Sequence, residues 1–145
     1  MRTAAARALA TTPGTEGVAR AGRLALADPD PAVRRATIEA LGESRRPEAL
    51  PALERVFREA SPDLQQVAGR GIYQVGGPAA ADTLARLAFE AKPEAQRLAV
   101  VLLMALQGGR DDPIVQRIAK THPDAELRRL IEHGVDPPHS HGETH

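Results

Sequence analysis

The chain has 145 residues, 42% of them hydrophobic, with 19 Lys and Arg against 19 Asp and Glu; the zero balance argues against a broadly basic nucleic-acid or lipid binder. There is no cysteine, which excludes disulfides, thiol catalysis and zinc sites of the Cys type, and the three aromatics are Phe57, Tyr73 and Phe89. The longest apolar run, Leu98 to Leu106, is about half of what a membrane helix needs, and Arg7 breaks the alanine stretch that might otherwise pass for a signal h-region, so the cytoplasm is the expected compartment.

Self-similarity organises what remains. Pro31, Pro62 and Pro93 stand 31 residues apart, and each opens a similar segment: Pro-Ala-Val-Arg-Arg-Ala, Pro-Asp-Leu-Gln-Gln-Val and Pro-Glu-Ala-Gln-Arg-Leu. In chain order, the first copy is Arg2 to Ala10, which matches Arg34 to Gly42 and predicts a helix near 2–11. A second helix opens near Pro13. The next runs over 31–43, with Asp30 as N-cap, Pro31 at the first helical position and Gly42 as a left-handed C-cap. Another opens near Pro47 and carries Leu50, Leu53, Val56 and Phe57. Ser61 and Pro62 repeat the start device for 62–76, where Leu64, Val67, Ala68, Gly71, Ile72 and Val75 recur at helical spacing before Gly76 and Gly77.

A helix then opens near Pro78, followed by 93–107, which is apolar nearly all round and ends at Gly108 and Gly109. Asp112-Pro113 opens the eighth helix, and the last spans 124–133, where His122-Pro123-Asp124 echoes Asp28-Pro29-Asp30 with a one-residue displacement. Alternating A and B helices therefore fill 1–133, nine in all, about four and a half repeats; 134–145 reads as a disordered tail of His, Pro and Gly. No segment alternates with period two over a useful length, so the class is all-α. A single helix pair cannot bury its apolar face alone, and the many alanines permit the close stacking that an array needs.

At Asp28-Pro29-Asp30-Pro31-Ala32-Val33-Arg34, Ala40-Leu41-Gly42 and Pro47 to Leu53 the chain resembles the HEAT-type helical repeats, specifically the short phycobilisome-lyase form. The resemblance implies a right-handed α-solenoid, a protein-binding or scaffolding role, and an architectural part for Asp28 or Asp30 with Arg34. Gln65 and Gln96 replace that arginine later, which leaves the ladder incomplete.

Chemistry is not expected. No His-Glu dipeptide offers di-iron ligands, aromatic residues are too few for a base-flipping glycosylase, and Gly69-Arg70-Gly71 lies inside a helix, where no backbone N–H is free for phosphate. Glu54 and Glu59, or Asp111 and Asp112, read as solvated face or N-cap. No cofactor and no metal site are expected; His139, His141 and His145 read as solvated tail. The enzymatic alternative is an accessory subunit of the bilin-lyase type.

Two surfaces carry the functional expectation. Superposing B helices by apolar phase puts Arg23, Arg55, Arg86 and Arg117 in one column, widened by Arg58 and Lys120, on the face that lines the concave side of such arrays. These arginines would grip the carboxylates of an acidic protein partner, with nucleic acid the weaker option. The competing reading is self-neutralisation, by Glu59 for Arg55 and by Glu90 or Asp82 for Arg86, four residues away in each case. On the A face the outward column Arg35, Glu39, Gly42 becomes Gln66, Arg70, Tyr73 and then Arg97, Val101, Met104, so Tyr73, Val101 and Met104 are candidates for self-association.

Overall fold

The computed structural model describes residues 4, 8 and 15–133, and among them eight α-helices, one 3-10 turn and no strand. In chain order these are α1 (Thr15–Ala27), α2 (Pro31–Glu43), the 3-10 turn (Pro47–Ala49), α3 (Leu50–Glu59), α4 (Pro62–Val75), α5 (Gly77–Glu90), α6 (Pro93–Gln107), α7 (Pro113–Thr121) and α8 (Ala125–His133). Of the helix expected at 2–11, Ala4 and Ala8 are described and helical; the rest of it, Gly134 and the tail to 145 lie outside the described residues.

The proline starts hold, but the caps are unequal. Asp30 accepts from the Ala32 N–H at 2.9 Å, and Asp112 accepts from Ile114 at 2.9 Å and Val115 at 3.3 Å. Ser61 takes the N-cap position of α4 without a side-chain capping bond, contrary to expectation, so the Pro62 ring alone marks that start. Helix ends also divide. Gly76 (φ 68°) and Gly108 (φ 87°) adopt the positive φ that glycine permits. Gly42 does not end its helix: it is buried inside α2, and the left-handed residue beyond the end is Arg45 (φ 55°).

Gly42 is needed for a different reason. A Cβ built on it would lie 2.5 Å from the Cα of Gly71 on α4, so only the absence of side chains lets these two helices touch through their backbones. In the other layer a Cβ on Gly22 of α1 would lie 2.8 Å from the Cβ of Ala52 on α3. Two layers follow. The A layer stacks α2, α4 and α6; the B layer stacks α1, α3, α5 and α7; α8 packs chiefly on α7. Between the layers runs one continuous core that includes Ile38, Leu41, Leu53, Phe57, Ile72, Leu84, Leu103 and Ile131. The hydrophobic transfer of such side chains, about 1.5–3 kcal/mol each, is what drives the stacking.

Each B helix also packs on the A helix that follows it across one turn. One device staples these turns. Arg34 on α2 donates to the Asp28 carbonyl at 2.8 Å, and Arg128 on α8 donates to the His122 carbonyl at 2.5 Å, each satisfying a carbonyl at the end of the preceding B helix. Gln96 on α6 does the same work, donating to Ala91 at 2.9 Å and Phe89 at 3.1 Å, so glutamine there keeps the staple although the arginine is lost. The Asp28 carboxylate accepts from the Asp30 N–H at 2.9 Å, and the His122 ring replaces it in the last turn by accepting from Asp124 at 3.0 Å.

Candidate functional site

The outward face of the B layer carries the arginine column. Arg23, Arg55, Arg86 and Arg117 lie on α1, α3, α5 and α7 in turn, and all four are exposed, as is Lys120; Arg58 is half-buried. Their surroundings divide the face into two grooves and a ridge. The first groove, about 410 Å³, lies between α1 and α3; Val18, Gly22, Pro51 and Ala52 make it apolar, and Arg23 and Arg55 stand on its walls with Glu48. The second, about 450 Å³, lies between α5 and α7 and is lined by Ala85, Phe89, Ile114 and Ile118 with Asp82, Arg86, Glu90 and Arg117.

The ridge between them is an ion-pair cluster joining α3 to α5. Glu54, whose side chain is 14% exposed, accepts from Arg58 on its own helix at 2.8 Å and from Arg86 on α5 through both oxygens, at 2.9 and 3.2 Å. Arg58 also bonds Glu90. Burial pushes the Glu54 carboxyl up, but the hydrogen bonds from Arg86 and Arg58 outweigh it and hold the group below its ordinary 4.5. The same carboxylates raise both arginines: donation to Glu54 and then to Glu90 acts on Arg58, and donation to Glu54 leads for Arg86. Glu54 is therefore an inter-helix strut and not part of a solvated face.

This cluster corrects the expected pairing. Arg55 does take Glu59, at 3.2 Å, but Arg86 takes neither Glu90 nor Asp82. Stacking brings residues 32 apart into reach, so Arg86 finds Glu54, and Glu90 finds Arg58. Arg23, Arg117 and Lys120 have no ion-pair partner among the described residues, and they are the cations that this surface leaves open.

On the A layer, Tyr73 is 42% exposed, whereas Val101 and Met104 are half-buried, Met104 against the core. Gly42, placed in the same outward column by repeat alignment, faces α4 and is buried. His122 was not singled out by its sequence. It is 2% exposed, and its Nδ1 accepts from Asp124, which leaves Nε2–H to donate to the Ala88 carbonyl at 2.7 Å. The Phe89 ring lies 4.9 Å from it, tilted by 32°. The signal available was positional: His122 stands where the displaced repeat copy puts the buried Asp28. Among the described residues no group of three or more His, Asp or Glu is placed to hold a metal, and no helix is long and apolar enough to cross a membrane.

Stacked antiparallel helix pairs sharing one elongated core, repeated at a fixed period, define an α-solenoid. Residues 1–64 match the family model of HEAT repeats, and helices continue beyond them to 133, which supports a HEAT-like repeat protein. That match is to HEAT repeats at large and does not single out the phycobilisome-lyase form. No curated protein and no solved structure matches the chain. HEAT repeats commonly mediate protein–protein interactions and generally carry no catalysis of their own.

Proposed function

We propose that this chain is a non-catalytic interaction module that receives an acidic protein partner on the B layer, as the concave face of a right-handed, nine-helix solenoid over 1–133 with 134–145 as an appended tail. The observation that carries the reading is the pair of open arginines. Arg23 and Arg117 stand exposed at opposite ends of the column, each on the wall of a groove and each without an ion-pair partner among the described residues. A guanidinium grips a carboxylate bidentately, and a groove floored by apolar side chains supplies the area that charge alone does not. Arg55, Arg58 and Arg86 contribute less, since Glu59, Glu54 and Glu90 already hold them. Nucleic acid fits poorly: three open cations and no aromatic ladder give little affinity at physiological salt.

Affinity capture with the full chain, followed by mass spectrometry across a salt series, tests this. The expected result is an acidic protein released as salt rises and lost from the double variant Arg23→Glu, Arg117→Glu. Recovery of the same proteins by that variant at the same salt overturns it. Arg86→Glu is unsuited to the purpose, because it would strip Glu54 of its strut. On the A layer, exposure of Tyr73 supports a lesser role in self-association, with Val101 and Met104 beside it in sequence register.

A further inference from the structure

The two grooves of the B layer differ in a way that points to one of them and to what fills it. Phe89 and Tyr73 are the large hydrophobic side chains left exposed among the described residues, and Phe89, at 41%, stands on the wall of the groove between α5 and α7. Its position is fixed from behind. It stacks at 4.9 Å on His122, and that ring is itself pinned at both nitrogens by Ala88 and Asp124. Such a ring is an ordered apolar platform that need not be immobilised when something docks on it. Ala85, Ile114 and Ile118 continue the apolar floor.

Charge is zoned along the same groove. By the 31-residue period Arg86 and Arg117 face each other at its middle, with Phe89 opposite Lys120 one turn on and Asp82 one turn back. Arg86 is satisfied by Glu54 and Glu90 by Arg58, so both arrive neutralised. Of the charged lining residues Arg117 and Asp82 stay open, Asp82 one turn back from Arg117 by the repeat period, and a carboxylate is attracted to the first and repelled from the second. The groove between α1 and α3 has no aromatic platform, its Arg55 is taken by Glu59, and Glu48 stands on its rim.

We infer that the groove between α5 and α7 is an anchor site for a short acidic segment of a protein partner. One apolar side chain of that segment lies on Phe89 and Ile118, and a flanking carboxylate pairs with Arg117. This rests on the reading of the B layer as the binding face and narrows it to one groove and one chemistry.

The test is a titration of the isotopically labelled full chain, followed by amide chemical shifts. Its probes are three nonapeptides: Asp and Glu residues around a central Leu, the same peptide with Ser for Leu, and the same with Lys for every acid. The Leu peptide is expected to move signals of Ala85, Phe89, Ile114 and Ile118, with affinity about tenfold weaker for the Ser peptide and about tenfold weaker again for Arg117→Glu. Arg117→Gln serves should the reversed charge unsettle α7, and the spectrum itself reports whether either variant is folded. Equal binding of the Leu and Ser peptides, or shifts confined to α1 and α3, overturns the anchor site while leaving an acidic-partner face intact. Preference for the Lys peptide, or silence of the whole B layer toward all three, overturns both.

Discussion

The A and B layers are built from the same repeat, yet they meet their neighbours by different means. In the A layer α2 and α4 touch through the backbones of Gly42 and Gly71, with room for no side chain between them. In the B layer α3 and α5 are joined at the surface by Glu54, Arg58, Arg86 and Glu90, and grooves open on either side of that ridge. The α2–α4 contact is steric and the α3–α5 contact is charge-bridged, and the grooves that flank the bridge carry the open cations Arg23 and Arg117. Under the proposed function the A layer fixes the stack and the B layer keeps room for a partner.

Changes to the shared core should act most strongly. Leu53 and Leu84 are fully buried, and Leu53 also supports Gly71, so Leu53→Ala or Leu84→Ala is expected to cost about 2–5 kcal/mol in urea unfolding. A neutral result would mean that the helix phase is wrong. The backbone seam comes next. Gly42→Ala forces α2 and α4 apart and is expected to lose about 1–3 kcal/mol despite the better helix propensity of alanine. Gly69→Ala is the matched control. Its Cβ would meet side chains and no backbone, the Leu102 methyl at 2.7 Å, the Phe57 ring at 3.1 Å and Leu98 at 3.6 Å, so thermal denaturation should show a smaller change.

The ridge supplies a pH-dependent term. Because the folded-state pKa of Glu54 lies below its ordinary 4.5, the stabilisation is present above that value and is lost as pH falls through the folded pKa. Glu54→Gln is therefore expected to destabilise by about 1–2 kcal/mol at neutral pH, discounted for the half-exposed arginines. The gap between the two melting temperatures should narrow as pH falls below 4.5 and through the folded pKa of Glu54. A gap that persists unchanged at low pH would show that the carboxylate is not the group at work. The smallest effect concerns the A surface: Tyr73→Lys should reduce concentration-dependent association in sedimentation without altering the melt, and identical sedimentation of both chains would remove Tyr73 as a contact.

Much of this architecture was legible because helix starts leave chemical marks. Pro31, Pro62, Pro93 and Pro113 each open a helix, since a missing N–H is harmless only there. Glycine carries less information. Gly76 and Gly108 relieve a left-handed backbone while Gly42 relieves a helix contact, and periodicity does not separate the two uses. The arginine column was readable from the period, but its partners were not. Pairing at four residues is a property of one helix, whereas the pairing of Arg86 with Glu54 and of Arg58 with Glu90 depends on how far apart two helices stack. The staple by Gln96 was not legible for a related reason: a carbonyl at a helix end accepts from any donor that reaches it, so residue identity understates the equivalence.

Partner capture by three chains side by side bears most directly on the division between layers: wild type, the B-layer variant Arg23→Glu, Arg117→Glu, and the A-layer variant Tyr73→Lys. With melts confirming that all three are folded, the expected result is that wild type and the A-layer variant recover the same acidic partner while the B-layer variant recovers none. Retention by the B-layer variant together with loss from the A-layer variant would contradict the assignment and place the binding surface on the opposite face.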